Sequence, residues 1–280
     1  MTRVTRRHRV YFAAVGLLAL WVGVWGYFIP GHVDEALPWL VPPLHARFLG
    51  AMYLSGTTFM IGCLLARQWA EVRVVLPMIA IWTGMLFVVS LLHLGEFNPA
   101  VPPTYVWFAA YFIYPIIAAW LAWRHRRAGP PDMGSVSRLP VIVRLYLLGQ
   151  GVVTSVLALA LLAAPVVMTA VWPWKITPLL AQLYSAPFLS YGLGSLLLAG
   201  RQTWLEVRIA LAAMWVFAVG VLLASLIHHA LFSASNAATW LWFAGFLTAT
   251  FVLAFVSVLA WLSDPALVPF GQAQKQPAAR

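Results

Sequence analysis

Eight runs of about 20 apolar residues divide the 280-residue chain, near residues 10–29, 45–66, 73–93, 104–123, 144–164, 178–199, 208–230 and 237–262, and its charges fall between them. A helix of about 20 apolar residues matches the hydrocarbon core of a bilayer, roughly 30 Å. Charged residues make up only 9% of the chain and apolar residues 63%, whereas soluble domains carry about 25% charge. Such a chain cannot cover itself with a water-facing surface. The expected fold is therefore an all-α integral membrane protein of eight transmembrane helices, with the lipid bilayer as its solvent and no space for a soluble domain.

The net charge of +10 suggests nucleic acid only until the charges are placed. With the N-terminus on the cytoplasmic side, fifteen of the 17 Lys and Arg residues fall in inside segments, leaving Arg47 and Lys175 outside. That is the positive-inside pattern. It predicts a multi-pass protein of the bacterial cytoplasmic membrane with both termini cytoplasmic, and it excludes a nucleic-acid surface, since no aromatic-interleaved platform accompanies the basic residues. The first run follows Arg6-Arg7-His8-Arg9 in the manner of a signal peptide. No small-x-small site precedes Pro30, however, and the run has a counterpart later in the chain.

Shifted by 135 residues, the sequence matches itself without gaps over most of its length. Arg9 falls on Arg144, Tyr11 on Tyr146, Pro30 on Pro165, Trp39 on Trp174, Glu71-Val72-Arg73 on Glu206-Val207-Arg208, His93 on His228 and Trp107-Phe108 on Trp242-Phe243. Matched Glu, Arg, His, Pro and Trp in one register mark an internal duplication. The organisation expected is a first four-helix repeat over 1–128, a cytoplasmic linker over 129–139 with the turn chemistry of Gly129-Pro130-Pro131-Asp132, and a second four-helix repeat over 140–280 ending in a short cytoplasmic tail. Each repeat has an even number of spans, so the two tandem repeats enter the membrane in the same direction. A pseudo-two-fold axis along the membrane normal relates them.

Thr177-Pro178 places a capping hydroxyl before a proline at the first helical position, and Pro43 stands at the equivalent start in repeat one. Trp39, Trp107, Trp172, Trp174, Trp240 and Trp242 fall near the outer boundary, and Trp69, Trp120, Trp123, Trp204 and Trp261 near the inner one. An aromatic belt accounts for such a distribution. Spans two and six hold the most small and hydroxylated residues, Gly50, Ser55, Gly56 and Gly62 in one and Ser185, Ser190, Gly192 and Ser195 in the other, which predicts inner helices at the repeat interface. Pro77, Pro115 and Pro187 are expected to kink their spans. None has a proline at its repeat counterpart, so the halves have diverged.

The pairs Glu71, Arg73 and Glu206, Arg208 lie in tight cytoplasmic turns, where they are expected to bond across the turn or to free helix-end groups. The outer face gathers His32, His45, His93, His228 and His229 with Asp34, Glu35 and Glu96. Arg73 to His93 and Arg208 to His228 are both 20 residues, one hydrocarbon thickness at about 1.5 Å per residue, so the two histidines share a depth. Imidazoles so related can ligate a transition metal or a haem iron, or simply hydrogen-bond to backbone; the paired-histidine spacing of cytochromes b is absent. Arg47 is a charge just inside the outer end of span two, with Gln182 at its counterpart. It snorkels and pairs with Glu96, Asp34 or a lipid phosphate, or else it lines an outward-facing polar pocket between the repeats with His45, His93, Gln182, Tyr184 and His228 that holds an anionic head group or substrate.

The motifs of hydrolysis and phosphoryl transfer are missing, no acidic residue lies mid-span, and the single Cys63 can form no disulfide within the chain. Trp172-Pro173-Trp174-Lys175-Ile176-Thr177-Pro178-Leu179, with its weaker partner from Trp39 to Leu44 followed by Ala46-Arg47, resembles a group of uncharacterised multi-spanning membrane proteins from actinobacteria and related bacteria. In these a Trp-Pro-Trp-x-Leu-Thr-Pro-Leu-like stretch enters a span that continues with Ala-Arg; here Ala181-Gln182 departs from that pattern in the second repeat. The resemblance implies membership of a family without an established activity and transfers no catalytic residues. Three functions remain open on the sequence. The first is a non-enzymatic carrier or binding protein with no cofactor and a small anionic molecule or lipid head group held between the repeats at Arg47, His45, Gln182 and Tyr184. The second is a haem- or metal-binding redox subunit using His93 and His228. The third is an accessory subunit of a larger membrane complex.

Overall fold

A computed structural model of the protein describes residues 3–35, 38, 41–127 and 138–262. The linker over 129–137, Trp39 and the tail with Lys275 and Arg280 lie outside the described residues, as do the side chains of Asp34 and Glu35. Ten α-helices are described: α1 (Arg6–Phe28), α2 (Pro43–Leu65), α3 (Trp69–Val72), α4 (Val75–Leu92), α5 (Pro102–Arg124), α6 (Val141–Ala163), α7 (Pro165–Val171), α8 (Pro178–Ala199), α9 (Trp204–Ile227) and α10 (Ala237–Leu262). Short 3-10 turns follow α1, α4 and α9. Among the described residues the only β-pairing is two isolated bridges, Arg3 to Gln68 and Arg138 to Thr203.

Seven helical segments, with α3 and α4 counted together, are long and apolar enough to cross a membrane. The chain is an all-helical multi-pass membrane protein. The 22-residue α8 is of similar length but falls short in apolarity, because Gln182, Tyr184, Ser185, Ser190, Tyr191 and Ser195 interrupt it. Those same residues are almost all buried, so α8 is polar on the inside and has little surface left for lipid.

Consecutive helices pack as neighbours, α1 along α2, α4 along α5, α6 along α8 and α9 along α10. Across the middle, α2 packs on α9 and α4 on α8. The interior therefore comprises α2, α4, α8 and α9, with α1, α5, α6 and α10 outside them. Spans two and six are inner helices as their small residues predicted, and spans three and seven join them. Close approach explains two of the glycines: a Cβ on Gly50 would run into the backbone of Tyr27 on α1, and one on Gly192 would meet Ser155 N on α6 at 2.7 Å.

Several contacts recur at the 135-residue offset. Val4 N donates to Arg67 O at 3.2 Å, and Leu139 N to Gln202 O at 2.7 Å. Trp107 Nε1 donates to Ser90 Oγ at 2.8 Å, and Trp242 Nε1 to Ser225 Oγ at 2.9 Å. Others recur with the halves exchanged: Ser55 Oγ donates to Ala213 O at 2.6 Å, while Ser190 Oγ donates to Met78 O at 2.8 Å. Each serine reaches the other half of the chain at the position its counterpart vacates.

The helix ends follow local chemistry. Leu180 N donates to the Thr177 hydroxyl at 3.2 Å with Pro178 at the first helical position, and Pro43 opens α2 in the same place. Pro77 has a larger effect than a kink. A proline at 77 offers no N–H to the carbonyl of Arg73 and its ring crowds that carbonyl, so the helix stops after Val72 and restarts at Val75. The second repeat has Ala212 there, and α9 runs unbroken from Trp204. Helices α5 and α8 continue through Pro115 and Pro187.

The aromatic belt holds for only part of the tryptophans. Trp120, Trp123, Trp240 and Trp261 are exposed, but Trp69, Trp107, Trp172, Trp174, Trp204 and Trp242 are buried in the interior. Position along a helix sets a residue's depth; burial against neighbouring helices decides which way the ring faces.

Candidate functional site

The N-terminal ends of α2 and α8 meet the C-terminal ends of α4 and α9 at one rim, and their polar side chains pair off there. The buried His45 places Nδ1 at 2.7 Å from the hydroxyl of Tyr184, itself fully buried. Phe48, Trp172, Trp174 and Trp242 pack around that pair, with Phe48 and Tyr184 ring centres 4.1 Å apart and Trp174 and Trp242 4.8 Å apart. His45 and Tyr184 thus form a polar contact within a largely aromatic plug, and His45 also bonds to the backbone of Lys175.

Of the residues grouped with it, Arg47 meets His228 rather than the exposed Glu96. Its Nη1 lies 2.5 Å from Nε2 of His228, while Glu96 is exposed on the turn after α4. A guanidinium has only donors, so His228 must accept through Nε2 and hold its hydrogen on Nδ1. The imidazole is therefore neutral. Burial, and after it the Arg47 charge, lower the His228 pKa below its ordinary 6.5, which agrees with that assignment.

A similar contact joins the residues 135 positions away, Gln182 and His93. His93 Nε2 lies 2.6 Å from Gln182 Oε1, and Gln182 Nε2 donates to Leu162 O at 2.8 Å. The amide satisfies a carbonyl at the frayed end of α6 where Pro165 opens the next helix, and its oxygen faces His93. Since Oε1 only accepts, His93 carries a hydrogen on Nε2, where His228 carries none. One rim thus holds two contacts in exchanged halves, Arg47 with His228 and Gln182 with His93, and only one of them contains a guanidinium.

For a metal or haem iron the relevant atoms are the two Nε2 nitrogens. His93 uses its own on Gln182 and His228 on Arg47. Among the described residues, no three His, Cys, Asp or Glu side chains gather into a metal-ligand group. Ligation by either histidine through Nε2 would first break these bonds.

At the opposite rim Glu71 is 3% exposed. Its Oε1 accepts from the backbone N–H groups of Arg67 at 2.8 Å and Gln68 at 2.9 Å, which are free helix-end donors, and Oε2 meets Arg208 Nη2 at 2.6 Å. Glu71 thus bonds to helix-end groups, and the arginine it meets comes from α9. Glu206 accepts from Thr203 Oγ1 at 3.1 Å and lies 3.8 Å from Arg201. Arg208 also stacks over Trp261, 5.1 Å from its ring centre.

Two polar groups deeper in the bundle escaped sequence reasoning. Tyr191 OH lies 2.5 Å from Ser55 Oγ, and Gln150 Nε2 donates to Ser195 Oγ at 3.0 Å. The coincidence of Ser55 and Ser190 at the 135-residue offset was a usable signal for the first; for Gln150, whose counterpart is Val15, a polar residue appearing in one repeat only was the signal. No protein-family model matches this chain, and comparison with curated proteins and with solved structures gives no match either.

Proposed function

We propose that this protein is a non-enzymatic polytopic membrane protein of carrier or binding type, with an anion or lipid-head-group site between its two halves, at the rim where α2 and α9 meet. The observation that carries the reading is the pairing of Arg47 with a neutral imidazole. His228 orients the guanidinium without neutralising it, so a full positive charge stands at the membrane boundary beside a partner that supplies no counter-charge. An anionic oxygen supplies one, with charge-assisted hydrogen bonds that a neutral partner cannot match. His93 and Gln182 occupy the equivalent place without a guanidinium, so the site is single.

The wider frame is a chain of eight spans, α8 included, in two tandem repeats about a pseudo-two-fold axis along the membrane normal. The exchanged serine and rim contacts support that frame. The distribution of Lys and Arg supports a cytoplasmic-membrane location with both termini inside, which puts the Arg47 rim on the outer face. The entry motif at Trp172 to Leu179 supports membership of the multi-spanning group it resembles.

Reconstitution tests the site. Purified protein in vesicles is given radiolabelled anionic solutes, and anionic lipid co-purifying with the protein is quantified, for the wild type and for Arg47→Gln. The expected result is loss of about tenfold or more in uptake or in retained anionic lipid, equivalent to one charge-assisted hydrogen bond. Identical behaviour of the two proteins toward every anion tried overturns the reading.

A further inference from the structure

We infer that the second repeat contains a lipid-accessible binding site for one elongated apolar molecule bearing a hydroxyl group, seated between α6 and α10. The cavity there has a volume of about 900 Å³, within the range of small-molecule sites, about 300–1,000 Å³. It runs from Ala238 to Leu253 along α10, about 22 Å at 1.5 Å per residue, and α8 and α9 form its back wall through Tyr191 and Phe217.

The first repeat shows that this space is not a necessary product of the fold. Its α1, α2, α4 and α5 enclose a cavity at corresponding positions, and that cavity has a volume of only about 90 Å³. Two ties close it. Tyr53 and Tyr111 bond through their hydroxyls, and Tyr11 OH donates to Tyr114 O at 3.1 Å with the two rings edge to face. The second repeat lacks the side chains of both: Phe188 and Phe246 replace the first pair and have no hydroxyls, and Ala249 in place of Tyr114 keeps the carbonyl but offers no ring to the retained Tyr146. Trp21 becomes Val156 on the same flank. The outer helices are left apart, with the opening toward lipid.

The opened cavity also gains polarity at one point. Gln150, where the first repeat has Val15, lines its deeper part, and although Nε2 is held by Ser195, Oε1 is buried without a hydrogen-bond partner. A buried carbonyl oxygen without a donor is costly, and a small rotation of the Gln150 amide toward the cavity lets a hydroxyl on an otherwise apolar ligand supply the donor. The shape and this single acceptor fit a long-chain alcohol of acyl or isoprenoid type. The site is separate from the rim at Arg47 and stands or falls independently of it.

Protein purified in mild detergent is extracted with organic solvent and the extract analysed by mass spectrometry, for the wild type, Ala249→Tyr and Gln150→Val. The expected result is one hydroxyl-bearing apolar species at near-stoichiometric amount in the wild type, acyl or isoprenoid by its mass, and its loss in Ala249→Tyr while bulk phospholipid is unchanged. Equal recovery of the same molecules from the wild type and Ala249→Tyr overturns the proposal, since it marks annular lipid only. A second measurement does not depend on the tyrosine variant folding. A dibrominated long-chain alcohol titrated into the wild type should quench tryptophan emission saturably, with about tenfold weaker apparent affinity in Gln150→Val for one lost hydrogen bond. Linear, unsaturable quenching equal in both proteins also overturns it.

Discussion

His228 shows how a single contact fixes a protonation state. Its pKa lies below 6.5 because it is buried and faces Arg47, so the unfolded chain takes up a proton at a pH where the folded protein does not. Above about pH 6.5 neither form is protonated and the contact is intact; as pH falls below that value, stability is lost. Thermal unfolding in detergent should show a midpoint that drops between about pH 7 and pH 5.5, and His228→Asn should flatten that drop. Arg47→Gln should raise the His228 titration followed by NMR. Glu71 is the corresponding test at the other rim. Glu71→Ala removes the acceptor of two backbone amides and the partner of Arg208, with an expected cost of about 3 kcal/mol or more, measurable by denaturant unfolding in mixed micelles. The residue types of both rims were legible in the sequence, down to the helix-end role of Glu71, and so was the grouping of Arg47 with His228 at one rim. The pairing within that group was not: which side chain Arg47 meets depends on how α2 lies against α9, which no local pattern encodes.

At the level of helices, boundaries were read from the sequence to within a few residues, since apolar runs and prolines mark both ends of each span. The break at Arg73 and Val74 was the exception, because the proline responsible lies four residues further on. Pro77→Ala should restore the missing N–H and join α3 to α4 in the manner of α9, seen as slower amide hydrogen exchange across 73–77. Close packing offers a second test. A methyl group on Gly50 meets the Tyr27 backbone rather than a movable side chain, so Gly50→Ala should force α1 off α2 and cost about 1–3 kcal/mol, read as a lower unfolding midpoint. Gly95, with nothing near its Cβ position, should accept alanine without such a loss. The orientation of the tryptophan rings was the main misreading at this scale. An aromatic belt and an aromatic core place tryptophan at the same depth, and only the neighbours of each helix separate them.

For the whole molecule, the 135-residue self-match was legible in the sequence, and the cavity between α6 and α10 was not, because it results from several modest differences at positions that are adjacent only in space. Orientation can be tested directly. In a Cys63→Ala background, single cysteines at Ser233 and at Arg126 should react with a membrane-impermeant maleimide from opposite sides of the membrane, Ser233 from outside; labelling of both from one side would overturn the positive-inside topology. The exchanged contacts at the rim have one more consequence. Arg47 needs a histidine from the second half, and Gln182 needs one from the first. Two copies of the first half brought together would set two guanidinium groups against the two imidazoles, and two copies of the second would set none. Joining the halves in one polypeptide fixes the count at one, so the covalent link acts as a device for stoichiometry and lets a near-symmetric scaffold carry a charge on one side only.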